Sequence, residues 1–354
     1  MRIAQLVSLQ ESVPPKGKNG LEYMVYYLTE ELVRRGHEVT LFATSDSKTS
    51  ARMVEVLPYP MSKGMLFGLT PTHYSLLAMA KAAEISEEFD IIHSHLGEVA
   101  SYFTNLIDTP IIETIHSASS RPFSNVEENF LKKYCSDRRK RFYKIHHAYV
   151  SLSQKNNYQP KRNFSVIHNG IDFQNFTLRS EGGEYFAYLG YITEEKGAHL
   201  AVEAAKKTGV KLKLAGNYYG CEKYFDEKIK PYLVKGQIEY VGVLGPQERN
   251  EFLGGVKGLL FPIDWEEPFG MVMIEAMACG TPVIGFDRAA VGEVVKNGKT
   301  GFVVDNLKEM TVAIKNIDSI KREDCRSHVE KNFSVKRMAD DYEKLYKRII
   351  DKKK

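Results

Sequence analysis

Several protein classes are excluded by what this chain has little of. Its 354 residues include four cysteines, Cys135, Cys221, Cys279 and Cys325. They are far apart, with no C-x-x-C pair, which excludes a disulfide scaffold or a cysteine-rich metal site and suggests reduced thiols in a cytoplasm. No run approaches the roughly 20 apolar residues needed to cross a bilayer. The first apolar run, Ile3 to Leu9, is broken by Gln5 and Ser8 and reads as a strand rather than a signal peptide. Charge of one sign is not in excess: 49 Lys and Arg against 45 Asp and Glu leave a formal +4, too small and dispersed to argue for nucleic acid. What is present, 27% charged and 43% hydrophobic residues, suffices for a large core and for two domains. A cytoplasmic enzyme or binding protein is the simplest reading, with peripheral contact at the inner membrane face left open.

The hydrophobic pattern alternates strands with helices. Residues 2–7 form a short apolar run, followed by a Pro/Gly/Lys loop and a helical pattern from Leu21 to Arg35. Gly36 stands where a left-handed helix stop belongs, and 38–43 reads as the next strand, completing a βαβ unit. A helix through 76–89, strands at 91–93 and 111–115, a long charged helix from about 125 to 146, and a strand at 148–152 continue the series. After the polar stretch 179–184 a second series begins, with strands at 186–189, 211–215, 238–241, 258–261 and 282–285. Such alternation predicts two successive doubly wound units, each a parallel sheet covered by helices on both faces. The last helix, about Val335 to Ile350, spaces Met338, Tyr342, Leu345, Tyr346 and Ile349 along one face, so it packs against a core.

The most informative stretch runs from Trp265 to Pro282, with Glu267 and Glu275 in E-x7-E spacing. Pro268 is tolerated just inside a helix start and Gly280 fits a stop, which predicts a buried helix of about three turns. On such a helix the two carboxylates stand roughly 12 Å apart along the axis. The helix N-terminus between them offers unpaired N–H groups and a positive dipole end, a seat for a diphosphate. An apolar helix does not bury a carboxylate such as Glu275 without a partner.

These residues resemble the signature of glycosyltransferase family 4, retaining enzymes of the GT-B fold. Similarity extends over DIIHSHL at 90–96, TIHS at 114–117, IHNGID at 167–172, LGYITEEKG at 189–197, WEEPFGMVMIEAMACGTPVIG at 265–285 and NGKTGFVV at 297–304. The resemblance implies an α/β chain of two Rossmann-like domains facing a central cleft. Residues 1–170 with the C-terminal helix 335–354 are the acceptor-side domain, and 171–334 the nucleotide-sugar-binding domain. It implies transfer of a sugar, with retention, from a nucleotide-sugar donor, a UDP-sugar by family frequency, to an acceptor hydroxyl of a glycan, lipid or small molecule. No metal or other cofactor is expected. Glu267 would contact the donor sugar and Glu275 the ribose hydroxyls. The backbone of Phe269, Gly270 and Met271 would face the sugar and phosphates, and Lys196 would neutralise the diphosphate. His116, after an apolar strand, would lie beside the reacting sugar, whereas His93, His95 and His168 read as turn or core residues.

Two departures stand out. Tyr191 occupies the place of a family arginine that touches the leaving phosphate, exchanging a charge-assisted contact for a neutral hydroxyl. In the first glycine-rich loop a pair of glycines is replaced by Asn19-Gly20, where Gly20 still brings its backbone close to a phosphate or sugar. Both departures keep open a sugar-nucleotide-binding protein with weak or lost transfer activity. The basic run 132–141 reads either as a solvated helix face or as a contact for anionic lipid or an anionic acceptor.

Overall fold

The computed structural model describes residues 1–15, 20–64, 69–118, 145–158 and 162–352. It divides into two compact units, one formed by 1–170 and 335–354, the other by 171–334.

In the first unit β1 (Arg2–Leu6), β2 (Glu38–Thr44), β3 (Arg52–Leu57), β4 (Ile91–Ser94), β5 (Ile111–Ile115), β6 (His146–Tyr149) and β7 (Phe164–Val166) make a parallel sheet in the order β3-β2-β1-β4-β5-β6-β7. Strand order reverses between β1 and β4. At such a switch point the crossovers leave to opposite faces and a crevice opens beyond the strand ends. Both faces are covered, because alternate residues of β1 enter different cores. Ile3 packs with Met24, Leu28 and Leu32 of the helix Gly20–Arg34, while Ala4 and Leu6 pack with Tyr74 and Met79 of the helix Pro71–Glu84. The C-terminal helix Val335–Asp351 adds Met338, Tyr342, Leu345 and Tyr346 to the Ile3 core. Each large apolar side chain so buried contributes about 1.5–3 kcal/mol, which fixes this helix to the unit that begins the chain.

The second unit holds β8 (Tyr185–Leu189), β9 (Lys211–Ala215), β10 (Ile238–Tyr240), β11 (Gly258–Phe261), β12 (Val283–Phe286) and β13 (Gly301–Val304). They form a parallel sheet in the order β10-β9-β8-β11-β12-β13, with its switch point between β8 and β11.

The alternation predicted from sequence is present, with differences of physical origin. β3, β7 and β13 were not foreseen: β3 is an edge strand whose first four residues are largely exposed, and β7 and β13 have only three and four residues. The strand expected at 148–152 is His146–Tyr149, and Leu152 opens a helix. The helix expected over 76–89 begins at Pro71 and ends at Glu84. Cys135, Asn19, the basic run 132–141 and most of the helix expected over 125–146 lie outside the described residues. His146, the last of that helix, begins β6.

Candidate functional site

The loops that follow β8 and β11 leave the two strands flanking the second switch point, and they converge. At the end of β8 the buried Tyr188 hydroxyl donates to the Tyr191 carbonyl at 2.7 Å and the Lys196 carbonyl at 3.3 Å, pinning the loop at both ends. Burial holds this phenol well above its ordinary pKa, so it stays a donor. Gly197 then caps the helix Ala198–Thr208 at φ +73°, where a Cβ would stand 1.9 Å from the Pro262 carbonyl oxygen of the β11 loop. Only glycine permits this approach. The Asp264 amide donates to the Glu195 carbonyl at 2.8 Å and joins the loops a second time.

These constraints bring Lys196 and Glu267 together. The ammonium is ion-paired with Glu267 Oε2, which also accepts from the Trp265 indole N–H at 2.9 Å, and Lys196 Nζ lies 4.2 Å from the centroid of the Trp265 ring. A cation held by a carboxylate and an aromatic face is a charge poised to exchange one anion for another.

Glu275 is buried on the helix Met271–Ala278. Its carboxylate meets Arg249 Nη1 at 3.1 and 3.2 Å, Arg249 coming from the helix Pro246–Gly254. The partner demanded by burial is therefore present. The helix differs from the expected one. It spans eight residues rather than three turns, and Pro268 and Phe269 precede it. Gly270 is its N-cap at φ +81°, with a Cβ position only 2.7 Å from Met273 Cε. Glu267 thus lies in the loop before the helix, and the 12 Å separation along a helix axis does not apply. A left-handed residue cannot belong to a right-handed helix, so the proline enters a turn instead. Met271 and Val272 are partly exposed and their amides open the helix, whereas the Phe269 ring is buried edge-on to Phe333, leaving only its backbone for a ligand. Tyr191, which the resemblance sets in the place of an arginine, is 54% exposed, and its backbone carbonyl accepts from Tyr188.

In the first unit Gly20 opens its helix, and the buried Glu22 beside it accepts from the Ser8 hydroxyl at 3.0 Å beyond β1. His116 follows β5 and is partly exposed, with its Nε2 2.9 Å from His95 Nδ1. Burial depresses its pKa to about 3, so the ring is neutral near pH 7. Both His116 and Glu22 lie beyond the carboxyl ends of parallel strands, where such sheets bind ligands.

Sequence reading alone missed Trp265, Arg249 and His95 as site residues. Trp265 sits two residues before Glu267, inside the motif that drew attention. Arg249 is 26 residues from Glu275 and left no local signal. His93, read as a core residue, is fully buried in the sheet, but His95 adjoins His116.

The model of Glycosyltransferase Family 4 matches residues 18–175 and that of Glycosyl transferases group 1 matches 171–336. An uncharacterized glycosyltransferase of Methanocaldococcus jannaschii is 26% identical over 75% of this chain and 77% of its own length. Among solved structures, AviGT4, a glycosyltransferase involved in avilamycin A biosynthesis, superposes with a TM-score of 0.74 at 21% identity, covering 99% of this chain and 98% of that one. Anabaena HepE, solved in complex with UDP-glucose, superposes with a TM-score of 0.72 at 15% identity over 98% of this chain and 100% of its own. Their folds are like this one.

Proposed function

We propose, since this chain belongs to glycosyltransferase family 4 and is a glycosyltransferase of the GT-B fold, that it moves a hexose from a UDP-sugar to an acceptor hydroxyl with retention at the anomeric carbon. The observation that carries this reading is the meeting of Lys196 and Glu267 at the second sheet's switch point, beside the N-terminus of the helix Met271–Ala278. HepE, of like fold, was solved with UDP-glucose, which supports the donor class.

On donor binding Lys196 exchanges the Glu267 carboxylate for the diphosphate. Glu267, still held by the Trp265 indole, is then released to accept from sugar hydroxyls. Glu275, oriented by Arg249, takes the ribose hydroxyls, and the amides of Met271 and Val272 face the phosphates. As the bond from the anomeric carbon to phosphate breaks, the sugar acquires oxocarbenium character. The acceptor hydroxyl attacks from the same face and its proton passes to the leaving phosphate, on whose oxygen charge grows. Lys196 and the helix N-terminus stabilise that charge in advance of its appearance, and no divalent metal is assigned a role. His116 accepts a hydrogen bond from the reacting sugar.

The reading is tested with a panel of nucleotide sugars by thermal shift. The true donor at 100 times its Kd stabilises the protein by about 2.7 kcal/mol. With that donor and a panel of acceptors, NMR of the product reads the anomeric configuration. Lys196→Ala lowers kcat by about 10²–10³-fold, and EDTA leaves the wild-type rate unchanged. An inverted product, or a Lys196→Ala enzyme of full turnover, overturns the mechanism. Binding without transfer to any acceptor favours the inactive binder, which Tyr191 in place of an arginine would explain.

A further inference from the structure

Behind His116 the first unit contains a continuous chain of polar side chains that donor recognition does not require. His95 Nδ1 lies 2.9 Å from His116 Nε2, and His95 Nε2 lies 3.1 Å from Gln5 Oε1. The Gln5 amide donates to the Tyr346 hydroxyl at 3.4 Å, and Tyr346 lies 2.6 Å from His93 Nδ1. His93 Nε2 is 2.7 Å from Thr114 Oγ1, itself 2.8 Å from the Tyr342 hydroxyl. Gln5, His93 and Thr114 project from β1, β4 and β5, His95 directly follows β4, and both tyrosines come from the C-terminal helix.

Burial holds all three histidines neutral, so each ring has one donor nitrogen and one acceptor nitrogen. The directions around His95 and His116 then follow from the Gln5 amide, whose nitrogen faces Tyr346 and whose oxygen faces His95. Gln5 presents its oxygen to His95, so His95 carries its proton on Nε2 and its Nδ1 is bare. A bare Nδ1 accepts, so His116 must donate from Nε2. At the far end Tyr346, already accepting from the Gln5 amide, gives its own proton to His93 Nδ1, and His93 Nε2–H donates to Thr114.

We propose that Gln5 and His95 are positioning residues that hold His116 as the Nε2–H tautomer and reserve its Nδ1 lone pair as the acceptor for a substrate hydroxyl. Tyr346 keeps Gln5 in the required orientation, which connects the C-terminal helix to the reaction. The catalytic half of this inference rests on the role given to His116 above; the tautomer does not.

Long-range ¹H–¹⁵N spectra of the full chain with ¹⁵N-histidine, near pH 7.5, read the tautomer directly, with His116 assigned through His116→Gln. The expected result is a single Nε2–H form. In Gln5→Leu the His95 ring loses its acceptor, so both tautomers of His116 appear, and kcat falls about ten- to a hundredfold while donor KM stays within about twofold. An Nδ1–H form or a mixture in the wild type overturns the proposal without needing any variant to fold. So does a Gln5→Leu protein with unchanged tautomer and kcat. Full turnover in His116→Gln, with the tautomer as expected, removes the catalytic role and leaves the relay as architecture.

Discussion

Individual residues illustrate how a buried charge constrains its surroundings. Glu275 is tolerated inside an apolar helix because Arg249 neutralises it, so removing the arginine strands a carboxylate in the core. Arg249→Ala should therefore cost about 3–5 kcal/mol in urea unfolding, and Arg249→Ala with Glu275→Gln should recover much of that loss. Ala289, at φ +49°, occupies a conformation that L-residues adopt reluctantly. The strain of about 1–2 kcal/mol outweighs the entropy that glycine adds to the unfolded chain, so Ala289→Gly should raise Tm slightly. Glu267 was legible as a site residue because its chemistry sits in a contiguous motif. Trp265 and Arg249 were not, since their roles depend on which carboxylate each meets.

Among the elements, two glycines with nearly the same backbone make a controlled comparison. Gly197 and Gly209 cap the two ends of the helix Ala198–Thr208 at φ +73° and +71°. A Cβ on Gly209 meets nothing within 4 Å, whereas one on Gly197 would collide with the Pro262 carbonyl at 1.9 Å. Gly209→Ala should cost about 1 kcal/mol, the ordinary left-handed penalty. Gly197→Ala should cost clearly more and also weaken donor affinity, because relieving the clash shifts the loop that carries Glu267. Chemical denaturation and donor titration check both. The helices Gly20–Arg34 and Val335–Asp351 were readable to within a residue at each end, whereas Pro71–Glu84 was expected five residues too late. The Met271–Ala278 helix was misjudged because the apolar run hid a left-handed Gly270, and β7 and β13 were too short for any period to show.

At the scale of the molecule, the first unit's burial of neutral ionisable groups sets its response to pH. Desolvation drives His93 and His95 well below the usual histidine range, His116 and His147 to about 3 and His146 to about 4. The unfolded chain binds protons at these sites as pH falls below about 6.5 and the folded chain does not, so their stabilisation is lost on acidification. Buried Glu22 and Glu113, raised to about 7 and about 8, act in the opposite sense: they stabilise the fold while protonated and cost stability as pH rises above about 4.5 toward those values. Thermal stability should peak between about pH 6 and 7.5, falling on both sides. Glu113→Gln should remove its contribution from about pH 4.5 to 8, flattening the alkaline limb, steepening the rise on the acid side and moving the maximum to higher pH. A monotonic Tm profile across that range would contradict this account.

From the order of its residues alone, the chain specified alternating parallel units, a closing helix that needed a core, and the motif that makes Glu267 and Glu275 candidates, to which the family resemblance added Lys196. Periodicity and glycine placement are local, and they survive in one dimension. Only the folded molecule decided that Lys196 and Glu267 meet, that Arg249 answers Glu275, and that Gln5, His95 and Tyr346 stand in line behind His116. Those relations join residues up to 341 positions apart in the chain, and only the folded backbone brings them within reach of one another.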